Sequence, residues 1–274
     1  MRKLLVLALF TLAVAAQPCT IVLVARNGMV LMGANEDMKD VAPYDKHWVE
    51  FHPASDKVKI GYVTFGYKIF PTATQAGMNA SGLFFDYNAL PAKDKGPKDR
   101  PKAGMNLGDE VLANCKTVAE ALAYMGKYDF VALSAGQMVI GDATGDSAIV
   151  ERDVVTRRGS LDYQIGTNFR TSETPKEKID CWRYKACDAT LSLKGQVSIE
   201  SVRKLLAETS PKPSMGAISW YSTVCDLKSG QMLLFRKADF SKVVRLDVAG
   251  ELKKGARRVD MDELMSKQGV PYIP

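Results

Sequence analysis

The sequence is poor in histidine, with only His47 and His52 among 274 residues. A zinc site built from several histidines is therefore excluded, and none of the five cysteines follows the CxxC spacing typical of zinc or redox sites. The chain also lacks a G-x-S-x-G nucleophile elbow and a glycine-rich phosphate loop. The segment that holds both histidines, DKHWVEFHPAS, is typical of a strand or loop at a pocket rim rather than of a catalytic pair. We expect no metal and no other cofactor.

The sequence also lacks a strong excess of charge of one sign. The formal net charge is +6, and the basic residues are spread along the chain. The nearest approach to a basic patch, AKDKGPKDRPK at 92–102, contains aspartates and prolines and is typical of a solvated loop. We therefore expect no nucleic-acid partner.

The only long apolar run is at the start of the chain, MRKLLVLALFTLAVAA, where Arg2 and Lys3 precede about a dozen apolar residues that end in small ones. This is the pattern of a secretory signal peptide, and the run is short for a membrane span. We predict a signal peptide at 1–16, a pro-dipeptide at 17–18 that is removed to expose Cys19, and a secreted or periplasmic protein without stable membrane insertion. An uncleaved anchor is the main alternative; a lipid anchor on Cys19 fits less well because Gln17 and Pro18 precede it.

Four cysteines remain when Cys19 is set aside, namely Cys115, Cys181, Cys187 and Cys225. An even number would allow two disulfides in an oxidising compartment, with three possible pairings. Cys181 and Cys187 lie six residues apart on a predicted helix and point to different faces, so we do not expect them to pair with each other. Buried free thiols are the alternative, and the sequence leaves both open.

Strands and helices occur in groups along the chain rather than in alternation. Asn-Gly at 27–28, DATGD at 142–146 and KSG at 228–230 each separate two apolar runs and predict hairpins. This grouping favours antiparallel sheets covered by helices, an α+β layered domain, over a parallel fold. We predict one domain over 19–274. Its predicted strands are 20–25, 29–33, 58–65, 82–87, 136–141, 147–151, 162–166, 218–225, 231–236 and 243–247, and its predicted helices are 107–125, 181–193 and 198–207, the last opening like a capping box.

Cys19 would become the first residue of the mature chain if processing stops there. It would then carry a thiol and a free α-amine, whose unperturbed pKa of about 7.7–8.0 suits a general base near neutral pH. One residue would be both nucleophile and base, a chemistry that needs no histidine. The simpler alternative is that Cys19 is a small apolar residue at the start of a strand, or half of a disulfide.

Six segments of the chain, in order, resemble the choloylglycine hydrolase-like group of N-terminal-nucleophile hydrolases, the linear amide C–N hydrolases. The group includes bile salt hydrolases and penicillin V acylases, with acid ceramidase-type and acyltransferase enzymes as more distant relatives. The resemblance implies a four-layer αββα sandwich with two antiparallel sheets. The segments are CTIVLVARNGMVLMGANED (19–37), TQAGMNASGLFFDYNALP (74–91), MVIGDATGDSAIVE (138–151), YQIGTNFRTSETP (163–175), CWRYKACDATL (181–191) and WYSTVCDLKSGQMLLF (220–235).

The resemblance also implies roles for individual residues. Cys19 matches the nucleophile, Asp37 the acid that holds its amine or thiol, and Asn168 the asparagine that donates to the oxyanion. Arg183 matches an arginine that points into the site. Asn88 lies at or beside the second oxyanion donor, which could instead be a backbone N–H between Tyr87 and Ala89. Without the resemblance, these polar residues would be assigned to turns and to the surface of a helix.

The chain departs from the family pattern at Ala34, where bile salt hydrolases and their close relatives carry arginine. The loss removes a fixed positive charge beside the thiol, and Arg170 is a candidate to replace it. We expect an exported amidohydrolase that acts on a small N-acyl amide. An acyltransferase, a non-catalytic binding protein on the same scaffold and a disulfide-based periplasmic module are the alternatives. The oligomeric state, including a homo-oligomer, stays open.

Overall fold

The computed structural model describes residues 19–93, 96–97, 99–104 and 106–274. The predicted signal peptide (1–16) and pro-dipeptide (17–18) lie outside these residues. The strands are β1 (Thr20–Arg26), β2 (Met29–Lys39), β3 (His47–His52), β4 (Tyr62–Tyr67), β5 (Ala76–Asn79), β6 (Phe84–Ala89), β7 (Gly136–Gly141), β8 (Ser147–Val150), β9 (Val155–Arg157), β10 (Tyr163–Gly166), β11 (Ala217–Asp226), β12 (Gln231–Arg236), β13 (Asp239–Asp247), β14 (Arg257–Asp260) and β15 (Val270–Pro271). The α-helices are α1 (Leu107–Asn114), α2 (Val118–Met125), α3 (Trp182–Ser192), α4 (Ile199–Thr209), α5 (Val248–Leu252) and α6 (Met261–Gln268).

The strands form two antiparallel sheets. The first sheet has the order β10-β1-β2-β11-β12-β13-β15, and the second has the order β14-β3-β4-β5-β6-β7-β8-β9. Strand β1 lies between two neighbours, because Ile21 pairs with Gly166 of β10 and with Ala34 of β2. Both sides of β1 are therefore held by backbone hydrogen bonds.

The two sheets and the helices on their outer faces form four layers, and a buried apolar cluster lies between each pair of neighbouring layers. The inter-sheet core contains the large apolar side chains from the facing sides of both sheets, such as Leu23 and Phe65. A second cluster joins the second sheet to α1 and α2, and a third joins the first sheet to α3 and α4. The prediction of an α+β, four-layer αββα sandwich is confirmed.

The turn residues produced the predicted hairpins. Asn27 and Gly28 both have positive φ (52° and 80°), which a type I′ turn requires at its two central positions. The β7–β8 and β11–β12 hairpins lie where the DATGD and KSG turns predicted them. Helix α4 opens with a capping box between Ser198 and Ser201, as predicted.

Three predicted elements have different boundaries in the structure. The helix predicted over 107–125 is two helices, because Thr117 caps a new helix and accepts a hydrogen bond from the Glu120 N–H. Strand β2 continues to Lys39 and includes the polar run Asn35-Glu36-Asp37. The strand predicted at 58–65 begins at Tyr62, and short strands such as β5 carry too little apolar pattern to be predicted.

The cysteines are all free in the described part of the chain, and Cys115, Cys187 and Cys225 are buried. The two-disulfide alternative is therefore wrong for this structure, and the alternative of buried free thiols is confirmed for these three, while Cys181 is partly exposed. None of the helices that the structure describes is long and apolar enough to span a membrane.

Candidate active site

Cys19 lies directly before β1 at one end of the inter-sheet space. Side chains alternate along a strand, and Ile21 and Leu23 belong to the inter-sheet core, so Cys19 faces the same way. Its side chain is buried, with 3% of the residue surface exposed. The predicted nucleophile is thus fixed on a strand that has neighbours on both sides.

Asn168 and Arg183 hold the backbone of Cys19. The Cys19 N–H donates to Asn168 Oδ1 at 2.7 Å, and Arg183 Nη2 donates to the same oxygen at 2.9 Å. Arg183 Nη1 donates to the Cys19 carbonyl and to Thr20 Oγ1. Arg183 is 5% exposed on α3 and is not a surface residue. The structure therefore brings three of the sequence-predicted residues together.

Asp37 contacts the thiol through its backbone rather than its carboxyl group. The Cys19 Sγ lies 3.7 Å from the Asp37 carbonyl oxygen, to which the thiol donates. One carboxyl oxygen of Asp37 accepts from the Ser219 hydroxyl, which is hydrogen-bonded to Ser210 at 2.8 Å. The other carboxyl oxygen is buried and has no hydrogen-bond donor among the described residues.

Asn88 faces the end of β10 from the opposite sheet. A Cβ atom on Gly166 would lie 3.0 Å from Asn88 Oδ1, so the two sheets approach closely here. The Asn88 Nδ2 group is buried and donates to no acceptor in the part of the chain that the structure describes. By contrast, the Tyr87 N–H already donates to Asp86 Oδ1 at 2.7 Å. Of the alternatives for the second oxyanion donor, the Asn88 side chain is therefore a free donor and the Tyr87 N–H is not.

The Asn168 side chain also links the two sheets. Its Nδ2 donates to the Ala89 carbonyl at 2.9 Å, while its Oδ1 accepts from Cys19 and Arg183. An amide nitrogen has two hydrogens, so one N–H of Asn168 is left for a further acceptor. These three hydrogen bonds orient the Asn168 side chain with its oxygen towards Cys19 and its nitrogen towards Ala89.

Two carboxyl groups that the sequence analysis did not select, Glu36 and Asp86, share the inter-sheet space with Cys19. Their charges, and that of Asp37, add to burial in raising the pKa of the Cys19 thiol well above its usual value. Burial, and then the charge of Asp86, raise the pKa of Glu36 in the same way. Each of them could have been found from the sequence as a charged residue two positions after an inward-facing core residue of the same strand. That core residue is Ala34 in β2 and Phe84 in β6.

The two histidines pack against tyrosine rings. The His47 ring packs 4.5 Å from the Tyr67 ring, and burial, followed by the charge of Arg236, lowers its pKa to about 3. His52 stacks on Tyr62 and is hydrogen-bonded to Thr64 at 3.1 Å. None of these ring contacts or hydrogen bonds involves Cys19.

Arg170 has partners away from Cys19. Its guanidinium lies 3.5 Å from Glu151 and donates to the carbonyl oxygens of Pro91 and Ser134 at 2.9 and 3.0 Å. It therefore does not supply the positive charge that Ala34 leaves out. No cluster of three or more histidine, cysteine or acidic residues suited to a metal ion occurs in the described ranges.

Asp37 should make the fold less stable as the pH rises. Burial raises the pKa of its carboxyl to about 8, against the opposing effects of the Ser219 hydrogen bond and the Arg183 charge. An aspartate in an unfolded chain has a pKa of about 3.9, so the folded protein holds more protons between about pH 4 and about pH 8. The free energy of unfolding then falls as the pH rises through this window. We expect Asp37→Asn to make that decrease shallower in urea unfolding at about pH 5 and about pH 8; an equally steep decrease in both proteins would contradict the assignment.

Comparisons with known proteins agree with this fold. The chain matches the family model described as acyl-coenzyme A:6-aminopenicillanic acid acyl-transferase over residues 24–243, which begins after Cys19 and includes Asp37, Asn88, Asn168 and Arg183. A penicillin V acylase from Agrobacterium tumefaciens has 18% identity and a TM-score of 0.67, covering 93% of this chain and 98% of that one. A variant of the conjugated bile acid hydrolase from Clostridium perfringens has 14% identity and a TM-score of 0.63, with 93% and 97% coverage.

Comparison with the curated proteins gave no significant match. The family match covers well over half of the chain, and the solved structures share its two-sheet sandwich over nearly its full length. The chain belongs to the acyl-coenzyme A:6-aminopenicillanic acid acyl-transferase family.

Proposed function

We propose that this protein is an exported cysteine amidohydrolase that cleaves the linear, non-peptide amide bond of a small N-acyl substrate through a thioester on Cys19. The observation that carries the proposal is the 2.7 Å contact between the Cys19 nitrogen and Asn168 Oδ1, beside a thiol that faces the inter-sheet space. When Cys19 is the first residue, this nitrogen is the α-amine. The amine is then held on the same residue as the nucleophile that it serves.

The α-amine supplies a general base on the same residue as the nucleophile. Burial and the neighbouring acids raise the pKa of the thiol, so the resting form is the neutral thiol. The amine takes the thiol proton as Sγ attacks the amide carbon, and the C–N bond then breaks as the ammonium returns the proton to the leaving amine. Water, deprotonated by the same amine, attacks the thioester, which releases the acid and restores the thiol.

Asn168 and Asn88 are the proposed oxyanion donors, and Arg183 is a positioning residue. Arg183 and the Cys19 nitrogen both donate to Asn168 Oδ1, which keeps the Asn168 amide nitrogen on the opposite side. Hydrogen bonding to the oxygen of an amide also polarises its N–H groups and strengthens them as donors. Each donor to an oxyanion contributes about 3–4 kcal/mol to transition-state stabilisation.

A comparison of Asn88→Ala with Asn168→Ala separates the two possible second donors. If the Asn88 side chain donates, each variant lowers kcat by about 10²–10³-fold with a smaller change in KM. If the donor is a backbone N–H of residues 88–89, Asn88→Ala keeps kcat within a few fold and only Asn168→Ala loses it. Steady-state hydrolysis of one N-acyl amide by both variants distinguishes these results.

Acyl transfer is the second candidate, because the matching family model describes an acyl-transferase. The same thioester would react with an amine instead of water. Adding a primary amine to the reaction and measuring the ratio of new amide to free acid distinguishes the two. Export rests on the leader pattern of residues 1–16 and is tested by locating the mature chain in the periplasm or medium.

A further inference from the structure

Glu36 and Asp86 come from opposite sheets and converge beside Cys19. Glu36 lies on the inward face of β2, and Asp86 on the inward face of β6. Gln75 Nε2 donates to Asp86 Oδ1 at 3.3 Å and to the Tyr87 carbonyl at 2.9 Å. The Tyr67 hydroxyl donates to Glu36 Oε1.

Each of these carboxyl groups has an oxygen left without a donor. Glu36 Oε2 and Asp86 Oδ2 are buried and unpaired within the described residues, in side chains that are 3% and 1% exposed. The hydroxyl of Tyr221, which is 1% exposed, is also unpaired in this part of the chain. Tyr221 of β11 is the cross-strand partner of Glu36 in β2, and Asp86 faces the same inter-sheet space from β6.

No lysine or arginine of the described ranges forms an ion pair with Glu36 or Asp86. After burial, the charges of Asp86 and Asp37 raise the pKa of Glu36, and the charge of Asp37 raises the pKa of Asp86. Ala34 lies two residues before Glu36 on the same face of β2, so the chain provides no guanidinium at that position. Buried acids without a counter-charge are costly and are rarely kept in a fold without a partner.

We propose that Glu36, Asp86 and Tyr221 form a subsite that binds an ammonium group of the amide substrate next to the Cys19 thiol. An ammonium group has three N–H donors, and each of these three side chains has one unpaired oxygen atom. This inference rests on the proposed amidohydrolase function and adds the charge of its substrate.

The subsite has a consequence for the nucleophile. An ammonium ion in contact with the two acids compensates their negative charge beside the thiol, which favours the thiolate. The substrate would thus supply the positive charge that Ala34 does not. A neutral substrate would leave the acids either protonated or uncompensated.

The test uses the mature enzyme and pairs of N-acyl amides that differ at one position, a primary ammonium in one and a hydroxyl in the other. One pair carries the group on the acyl part and the other on the amine part. We expect one pair to show a preference in kcat/KM for the ammonium substrate of at least about 30-fold, and we expect Glu36→Gln or Asp86→Asn to reduce that preference by about tenfold or more. Glu173→Gln, a change in an exposed acid paired with Lys93, is the control and should keep the preference.

A measurement on the unmodified enzyme avoids any effect of the substitutions on folding. Propylammonium should inhibit hydrolysis of a neutral amide at a concentration at least about tenfold lower than propanol does. Hydrolysis without an ammonium preference, or a preference unchanged in both acid variants, would overturn the subsite and leave the amidohydrolase function standing. Failure to hydrolyse any amide in the panel would overturn the proposed function itself.

Discussion

Replacing Cys19 with alanine is expected to lower kcat/KM for amide hydrolysis by at least about 10⁴-fold, because no other group can form the thioester. The remaining Asn88 and Asn168 donors can still bind substrate, so KM should change far less than kcat. Steady-state rates for one N-acyl amide, followed by amine release, measure the effect. A Cys19→Ala protein that hydrolyses at the wild-type rate would exclude Cys19 as the nucleophile.

Cys115→Ala is the matched control for this experiment. Cys115 is also a buried free thiol, but it packs between α1, α2 and the second sheet. Both substitutions remove one buried sulfur, and both should leave a cooperative urea transition. Only Cys19→Ala should lose activity.

A chain that retains Gln17-Pro18 before Cys19 is expected to hydrolyse amides about 10²–10⁴-fold more slowly than a chain that begins at Cys19. In the retained form the Cys19 nitrogen belongs to a peptide bond and cannot accept the thiol proton. The contact with Asn168 needs only one N–H and is available to both forms, so the substrate KM should be similar. Intact mass and N-terminal sequencing establish which chain is present, and single-turnover rates compare them.

Equal rates for the two chains would show that the base is another group. In exported protein, we expect the mature chain to begin at Cys19. A mature chain that begins at Gln17 and shows no hydrolysis would favour the non-catalytic binding protein.

Turn residues and apolar patterns predicted most of the fold, because their signals are local. Asn27 and Gly28 adopt the positive φ angles that a two-residue hairpin turn requires and that other residue pairs rarely adopt. The hairpin lies where it was predicted. The end of β2 was predicted too early, because Asn35-Glu36-Asp37 resembles a polar turn when read alone. These residues lie in a strand because β11 pairs with all three of them and β1 pairs with Asn35, which is a tertiary effect.

Apart from Cys19, which its place after the leader pattern marked, the site could be predicted only where a resemblance supplied the positions. Asn168 and Arg183 lie 149 and 164 residues from Cys19, and no spacing rule connects such distant residues. The family pattern did connect them, and the structure places both against Cys19. Glu36 and Asp86 were missed because the resemblance was not used to assign them roles, although each is a charged residue at an inward strand position.

The position of β1 between two neighbours determines how the protein should lose its activity. Chain termini usually fray, because few contacts order their first residues. Here the residue that processing would place first is buried and hydrogen-bonded to Asn168, just after β10, and to Arg183 of α3, so its ordering is completed when the whole sandwich folds. Heat or urea should therefore abolish hydrolysis in the same transition that melts the sheets, without an earlier loss from a loosened end.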